Sequence, residues 1–183
     1  ARQNSPTLKY GLQPGEGCTV AARLCHTGGA PVHATTDGTN LTTNSANTIY
    51  LAEVFVPANM TVTGIAVFHG TAVAGNGKAI LYKRTGATTA VAVAQSVSTA
   101  MSGPTAYQLI PFTATVDVLG PGTYYVGMIY DDTTHDLRGH TIGAFATGNY
   151  STNVVYATDS TLQSVTVPTT FGTAGHGPIA TLY

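Results

Sequence analysis

The most conspicuous shortage in this sequence is of charged residues. Only 8% of its 183 residues are Asp, Glu, Lys or Arg, whereas an ordinary soluble domain has about 25%. A surface with so little charge is weakly solubilised on its own, so we expect neighbouring subunits to cover much of it. The formal net charge of −1 offers no basic footprint for phosphates. We therefore expect no nucleic acid partner.

Long apolar runs are absent as well. A membrane helix needs about 18 or more consecutive apolar residues, and without such a run we expect no membrane partner. The opening residues, ARQNSPTLKYG, contain no apolar stretch of the kind that secretory signals require. They are typical of a chain that has lost an initiator Met in front of Ala1, which favours synthesis in a cytoplasm without export.

Cysteine is scarce. Cys18 and Cys25 are the only two, too few for a disulfide framework, and we expect free thiols or one small disulfide loop. With His26 and His33 they supply the ligand types of a zinc site. However, the order C-x6-C-H-x6-H lacks the short paired spacing of zinc fingers, so we expect no zinc.

No segment keeps an amphipathic helical period for more than two turns. Short apolar runs alternate instead with turn signals such as PANM, RTGATT and LGPG. This pattern predicts an all-β protein with an antiparallel β-sandwich, and the eight or more available strands favour a jelly-roll topology. We interpret residues 1–47, rich in Gly, Pro, Asn and Thr, as an extended N-terminal arm. Residues 48–183 are predicted to form the sandwich domain.

Three strands carry more specific signals. In MTVTGIAVFHG the apolar positions change parity at Gly64, which predicts a β-bulge there. Pro111, in AYQLIPF, indicates an edge strand or a strand end, because proline cannot donate to a ladder. The run TYYVGMIY is apolar on both parities and therefore predicts a central strand buried on two faces.

The central part of the chain also resembles a known module. Three runs carry the similarity: MTVTGIAVFHGTAV, AILYKRTGATTAVAVAQS and YQLIPFTATVDVLGPGTYYVGMIYDDTT. Within them we recognise a TG-I-x-V strand, an LY-to-S hairpin from Leu81 to Ser96, an IPF strand and a GPGTYYVG turn and strand. The pattern is similar to β-sandwich structural proteins of tailed bacteriophages and their prophage-derived relatives. It covers just under half of the chain and excludes residues 1–47 and everything beyond Gly148.

This resemblance implies a non-enzymatic role in a virion, as a head decoration, head-fibre, tail or baseplate protein. We expect a capsid decoration (cement) protein that binds the major capsid protein or other virion proteins through its arm and a low-charge sandwich face. It implies no cofactor, and by analogy it implies a homo-oligomer, for which we expect a trimer. The alternatives are a tail or fibre module that binds a receptor or glycan, and a secreted carbohydrate-binding β-sandwich.

One polar stretch, YDDTTHDLRGH at residues 130–140, raises the question of a metal site. Asp131, Asp132 and Asp136 are candidate calcium ligands, because calcium prefers oxygen ligands. The stretch nevertheless lacks the residue order and the distal Glu of an EF-hand. Asp and Thr are also typical of turns in which they accept backbone hydrogen bonds. We therefore interpret the stretch as a polar loop and expect no metal.

Catalysis by this stretch would need a second group facing it. Asp132, His135 and Asp136 have the chemistry of an acid and a base, but a glycosidase needs another carboxylate across a cleft. The remaining carboxylates are isolated in sequence: Glu16, Asp37, Glu53, Asp117 and Asp159. Neither a G-x-S-x-G elbow nor an H-E-x-x-H helix occurs. We expect no enzymatic activity.

Ten tyrosines without any tryptophan pose the question of sugar binding, since aromatic faces stack on sugar rings. The candidates for a sugar-binding patch are Tyr107, Tyr130, Tyr150 and Tyr156, although protein interfaces also favour tyrosine. For contacts with any partner, the candidate residues are Tyr130, His135, Arg138, Tyr150 and Tyr156.

Overall fold

The computed structural model describes residues 39–42, 48–139, 149–153, 164–167 and 177–183. These residues form strands and connecting loops without a helix, which confirms the all-β prediction. The strands are β1 (Thr39–Thr42), β2 (Thr48–Val56), β3 (Met60–Phe68), β4 (Asn76–Arg84), β5 (Thr89–Gln95), β6 (Thr99–Ala100), β7 (Tyr107–Val118), β8 (Gly122–Tyr130), β9 (Asp136–Gly139), β10 (Asn149–Asn153), β11 (Ser164–Thr166) and β12 (Ala180–Leu182).

The strands form two main antiparallel sheets. The larger has the order β10-β2-β8-β4-β5-β11, with β6 added to β4, and the smaller has the order β12-β3-β7. A separate two-stranded sheet joins β1 to β9. Buried side chains from both main sheets, including Val126 of β8 and Ile65 of β3, share one core cluster. The predicted antiparallel β-sandwich is therefore confirmed.

Strand β8 lies in the middle of the large sheet, between β2 and β4. Its even positions, such as Tyr124 and Met128, enter the core between the sheets. Its odd positions, Tyr125 and Ile129, enter a second cluster with Ile49 and Leu51 of β2. Since successive side chains of a strand point to opposite faces, this second cluster lies on the outer face of the large sheet. The prediction of a central strand buried on both faces is confirmed.

The connections partly follow a jelly roll. Strands β2, β8 and β4 are neighbours in the large sheet, while β3 and β7 are neighbours in the small one. The β2–β3 and β7–β8 connections therefore both cross from one sheet to the other, side by side. The hairpin of β4 and β5 stays within the large sheet, and the small sheet has three strands in the described part of the chain. A full jelly roll has eight strands in two Greek keys.

Both local predictions for the small sheet are confirmed. The register between β3 and β7 shifts between Val62 and Gly64, which places a bulge at the predicted position. A Cβ on Gly64 would lie 2.5 Å from the Ile110 carbonyl oxygen, so the bulge requires glycine there. Pro111 lies within β7, which is the edge strand of its sheet.

Part of the predicted arm is among the described residues. Residues 39–42 form β1, which pairs with β9 from Thr39 opposite Gly139 to Thr42 opposite Asp136. The rest of residues 1–47 lies outside the described residues. Strand β2 begins at Thr48, and the division into arm and sandwich domain stays a prediction.

A tyrosine closes the turn between β7 and β8. The Tyr124 hydroxyl donates to the Leu119 carbonyl (2.9 Å) and accepts from the Leu119 N–H (3.0 Å). In the same turn, a Cβ on Gly120 would lie 2.5 Å from the Ala58 backbone, and the Gly120 N–H donates to Asn59 Oδ1 (2.9 Å). The turns β2–β3 and β7–β8 therefore pack against each other, and their close approach requires glycine at position 120.

We expect Tyr124→Phe to lower the free energy of unfolding by about 1–2 kcal/mol, because it removes the hydroxyl that bonds both partly buried backbone groups of Leu119. Tyr82→Phe is the matched control. The Tyr82 hydroxyl is buried without a hydrogen bond to the described residues, so its removal should be neutral or slightly stabilising. Urea unfolding of both variants measures the difference, and equal losses would contradict the role given to Tyr124.

Candidate functional site

Polar side chains gather at one end of the sandwich, where β3 and β8 end and β4 and β7 begin. Three of them, His69, His135 and Asp136, are among the few buried polar residues of the described chain. Gln108 at the start of β7 and Tyr130 at the end of β8 complete the group, which we call the polar end. The polar end includes Tyr130, His135 and Asp136 of the stretch at residues 130–140, so its geometry shows which contacts that stretch makes.

The first two carboxylates of the stretch fix its backbone. Asp131 accepts hydrogen bonds from the Asn76 N–H (2.6 Å) and from Asn76 Nδ2 (2.9 Å), which join the loop to the start of β4. Asp132 accepts from both the hydroxyl and the N–H of Thr134, each at 2.6 Å. These two hydrogen bonds hold the pKa of Asp132 below its ordinary value. Both carboxylates therefore stabilise the local loop conformation.

The third carboxylate, Asp136, is buried and joins three segments. It accepts from Thr42 Oγ1 (2.8 Å) in β1, and from Thr71 Oγ1 and the Ala72 N–H (both 3.2 Å) in the segment after β3. The Asp136 backbone also pairs with that segment, because its N–H donates to the Ala72 carbonyl and its carbonyl accepts from Gly70. Asp136 thus connects β1 and β9 to the body of the sandwich.

The three metal candidates do not converge. Asp131, Asp132 and Asp136 direct their oxygens at different partners, as described above. Within the residues that the structure describes, no group of three or more His, Cys, Asp or Glu side chains is arranged to hold a metal ion. The zinc candidates Cys18, Cys25, His26 and His33 lie outside those residues. The expectation that no metal is bound stays a prediction.

Two buried histidines face each other at the centre of the polar end. His69 Nδ1 lies 3.2 Å from His135 Nε2, and His69 Nε2 lies 2.8 Å from Gln108 Oε1. The Ala74 N–H points at His135 Nδ1, at 3.4 Å. Each ring nitrogen of the pair therefore has one partner within the chain.

The two outer partners, the Ala74 N–H and Gln108 Oε1, decide which atom donates in each of these hydrogen bonds. A backbone N–H only donates, so His135 Nδ1 accepts, and a neutral His135 then carries its proton on Nε2 and donates to His69 Nδ1. His69 Nε2 in turn donates to Gln108 Oε1. The Gln108 amide is held in this orientation, because its Oε1 also accepts from the Ser102 N–H (3.0 Å) and its Nε2 donates to the Ala100 carbonyl (2.9 Å).

The surroundings of the pair favour the neutral rings. Tyr130 stacks on His135, with ring centroids 4.2 Å apart and planes 23° apart. Burial lowers the pKa of His135 from 6.5 to about 4, with a further lowering by the neighbouring His69. Burial also lowers the pKa of His69, against the opposing effect of the bond to Gln108. Removal from water disfavours a charged imidazole, and the nearest partners are polar but mostly uncharged.

Two of the five predicted contact residues are buried in the structure rather than exposed to a partner. Tyr130 and His135 are fully buried, so the structure does not place them on a contact surface. Arg138 is half-buried in β9, and Tyr150 lies in β10 opposite Leu51 of β2. Tyr156 lies outside the described residues. The structure brings His135 together with Tyr130.

The outer face of the small sheet, rather than the polar stretch, presents apolar groups to solvent. Phe68 of β3 is opposite Tyr107 of β7, with ring centroids 4.8 Å apart. Along β7, Tyr107 is 48% exposed and Leu109 62% exposed, and Pro111 is exposed as well. We call these four residues the apolar sheet face. Asp117, at the far end of β7, is the only charged residue in β3, β7 and β12.

No family model, curated protein or solved structure matches the chain. The resemblance to phage structural proteins therefore stays a prediction from the sequence. No helix in the described residues is long and apolar enough to cross a membrane.

We expect Asp136→Ala to lower the free energy of unfolding by about 2–4 kcal/mol, because it removes a buried carboxylate that accepts hydrogen bonds from three donors in two other segments. Asp117→Ala is the control, since the exposed Asp117 accepts one hydrogen bond, from Thr61, and its loss should cost about 0.5 kcal/mol or less. Urea unfolding of both variants tests this. Similar costs for the two would contradict the joining role of Asp136.

Thermal melts with and without EDTA test the metal candidates. Because Asp131, Asp132 and Asp136 are occupied by hydrogen bonds to the chain, we expect the two melting temperatures to agree within about 1 °C. A bound structural ion would instead make the melting temperature depend strongly on the chelator. A large loss in EDTA would therefore return these carboxylates to a metal-binding role.

Proposed function

We propose that this chain is a non-enzymatic structural protein of a phage-like particle, and specifically a capsid decoration protein. Its partners are the major capsid protein or other virion proteins, together with sister copies in a homo-oligomer, for which we propose a trimer. Binding uses residues 1–47 and a low-charge face of the sandwich. The proposal needs no cofactor and places the protein in the virion.

The observation that carries the proposal is the apolar sheet face in a chain with 8% charged residues. Exposed apolar groups on one face of a sheet are typical of protein contact sites. Leu109 at 62% and Tyr107 at 48% exposure stand beside each other on β7, and no charge lies among the four residues of this face. Such a surface fits another protein better than it fits a nucleic acid or a charged small molecule.

The small size of the apolar sheet face favours a repeating lattice of proteins as the partner. A face of four residues is small in comparison with a stable interface, which buries about 800 Å² on each partner. Many weak contacts on a repeating lattice become effective together, because neighbouring copies raise one another's effective concentration. The prediction of an arm that orders on a neighbour supplies the additional area. The resemblance of the central strands to phage structural proteins points to the same class of partner.

The test is to locate the protein on particles. Antibodies against the purified chain are used for immunogold electron microscopy of gradient-purified phage particles from the source strain, and we expect label over the head shell. Label confined to tail tips or fibre ends would replace decoration by the receptor-binding alternative. Absence of the chain from every particle fraction would overturn the virion proposal.

A surface variant tests the apolar sheet face itself. We expect Leu109→Asp to reduce incorporation into particles at least tenfold, because a carboxylate on this face would be buried without a partner. Leu119→Asp is the matched control, since Leu119 is 58% exposed but lies in the β7–β8 turn at the other end of β7. Both variants should keep the melting temperature of the unmodified protein. Equal incorporation of the two would contradict the use of this face.

The glycan-binding alternative also rests on a specific observation. The half-buried Phe68 and the exposed Tyr107 form an aromatic pair on the apolar sheet face, and sugar rings stack on such groups. Of the two sugar candidates whose side chains the structure describes, Tyr107 is exposed and Tyr130 is buried. Glycan-array binding that is lost in Tyr107→Ala would favour this alternative over decoration.

A further inference from the structure

The two histidines of the polar end lie where the segment after β3 meets the start of β9. His69 directly follows β3, and His135 directly precedes β9. The Gly70 N–H, next to His69, donates to the Asp136 carbonyl, next to His135, at 2.8 Å. An isolated bridge also pairs His69 with Leu137. Any movement of one ring relative to the other therefore acts directly on the contact between β9 and the end of the sandwich.

The chain of hydrogen bonds leaves no site for an additional proton. In the neutral pair the two accepting nitrogens are His135 Nδ1, which faces the Ala74 N–H, and His69 Nδ1, which faces the His135 N–H. A proton on either nitrogen would set two N–H groups against each other at 3.2–3.4 Å. Neither imidazolium can therefore form in the observed geometry without the loss of a hydrogen bond.

Few groups around the pair can neutralise a positive charge. Strand β7 contributes the neutral Gln108, and the segment between β3 and β4 contributes the Ala74 N–H. Strand β8 contributes Tyr130, whose hydroxyl is buried and whose pKa is raised by burial and by Tyr50 of β2. The titratable and charged groups in the loop and in β9 are Asp131, Asp132, Asp136 and Arg138.

The carboxylates among these groups form hydrogen bonds with residues other than the two histidines. Asp131 is bound to Asn76, Asp132 to Thr134, and Asp136 to Thr42, Thr71 and Ala72. Asp132 and Asp136 raise the pKa of His135 through space, yet the lowering by burial and by His69 is larger. A protonated ring would therefore find a better environment outside the polar end than inside it.

We propose that the His69–His135 pair is an acid-sensitive switch, which holds residues 131–139 and the paired strand β1 on the end of the sandwich and releases them when a ring takes up a proton. The released unit is confined to residues 131–139 and β1, and its release withdraws Leu137 of β9 from the core cluster that this residue shares with β3 and β8. Release would expose β1, which belongs to the predicted arm. The switch does not depend on the proposed function.

The direction of the pH effect follows from linkage. The folded-state pKa values of both histidines lie below the ordinary value of 6.5, so the opened state binds more protons than the closed state. The closed state is fully favoured above pH 6.5. It loses stability as the pH falls from 6.5 towards about 4, the folded value for His135. The upper part of this window, down to about pH 5, lies above the range in which ordinary carboxylates protonate.

Hydrogen exchange measured by mass spectrometry at pH 7.0, 5.5 and 4.5 tests the proposal, after correction for the intrinsic pH dependence of exchange. For peptides covering residues 131–139 and 68–76, we expect opening at pH 4.5 to exceed that at pH 7.0 by a factor of tens, as a lowered histidine pKa requires. Peptides from β2 and β8 should stay protected. Protection of residues 131–139 that is unchanged between pH 7.0 and 4.5, or a loss that is simultaneous in all peptides, would overturn the switch.

The double variant His69→Gln/His135→Gln removes both titrating groups and should make the exchange of residues 131–139 independent of pH from 7.0 to 4.5. Asp132→Asn is the control, because it changes a titrating group of the same loop and should leave the acid response in place. If the double variant does not fold, NMR titration of the imidazole resonances of the unmodified protein decides. Rings that titrate near pH 6.5, or that titrate without loss of protection at residues 131–139, would contradict the proposal.

Discussion

The packing of β8 on both of its faces is the constraint on which the rest of the structure depends. This strand pairs with β2 and with β4 over most of its length, and its alternate side chains contribute to two separate apolar clusters. A strand in that position tolerates polar groups only at its ends. Tyr124 near its beginning and Tyr130 at its end carry hydroxyls, and each lies beside one of the two turn regions of the sandwich. The turn architecture at both ends is thus set by the termini of one buried strand.

At the polar end, the stability of the loop depends on hydrogen bonds that are mostly internal to the chain. The carboxylate of Asp132 fixes the loop locally, whereas Asp131, Asp136 and the two histidines connect segments that are distant in sequence. Local and long-range contacts therefore have different consequences. Loss of the local contact would alter a turn, while loss of the Asp136 or histidine contacts would weaken the attachment of β1 and β9 to the body of the protein.

Much of the fold could be predicted from the sequence, because its signals are local. Alternation with a period of two, the change of parity at Gly64 and the position of Pro111 each depend on a few neighbouring residues, and the structure confirms them. The doubly apolar run in β8 was similarly informative. The order of the strands was harder to predict. The hairpin of β4 and β5 remains in one sheet, and no residue in the hairpin indicates which sheet it joins.

The polar end could be predicted only in part. The stretch at residues 130–140 is conspicuous in a chain with little charge, but His69 lies 66 residues before His135, and nothing in the intervening sequence connects them. One signal was available: after the bulge, the inward positions of β3 are Ile65 and Val67, so His69 continues the inward parity. Gln108 gives a similar signal beside the inward Ile110. Parity thus indicates the direction of a side chain, while its partner is decided by the packing of the two sheets.

The apolar sheet face also determines how any association through it would respond to solution conditions. With no charge among Phe68, Tyr107, Leu109 and Pro111, complex formation would depend little on ionic strength, because Debye screening acts on charges. Salts such as sulfate, which are excluded from protein surfaces, would strengthen it. Burial of this face would be accompanied by a negative change in heat capacity. Calorimetry over a range of temperatures would therefore distinguish contacts made through this face from contacts made through the polar end.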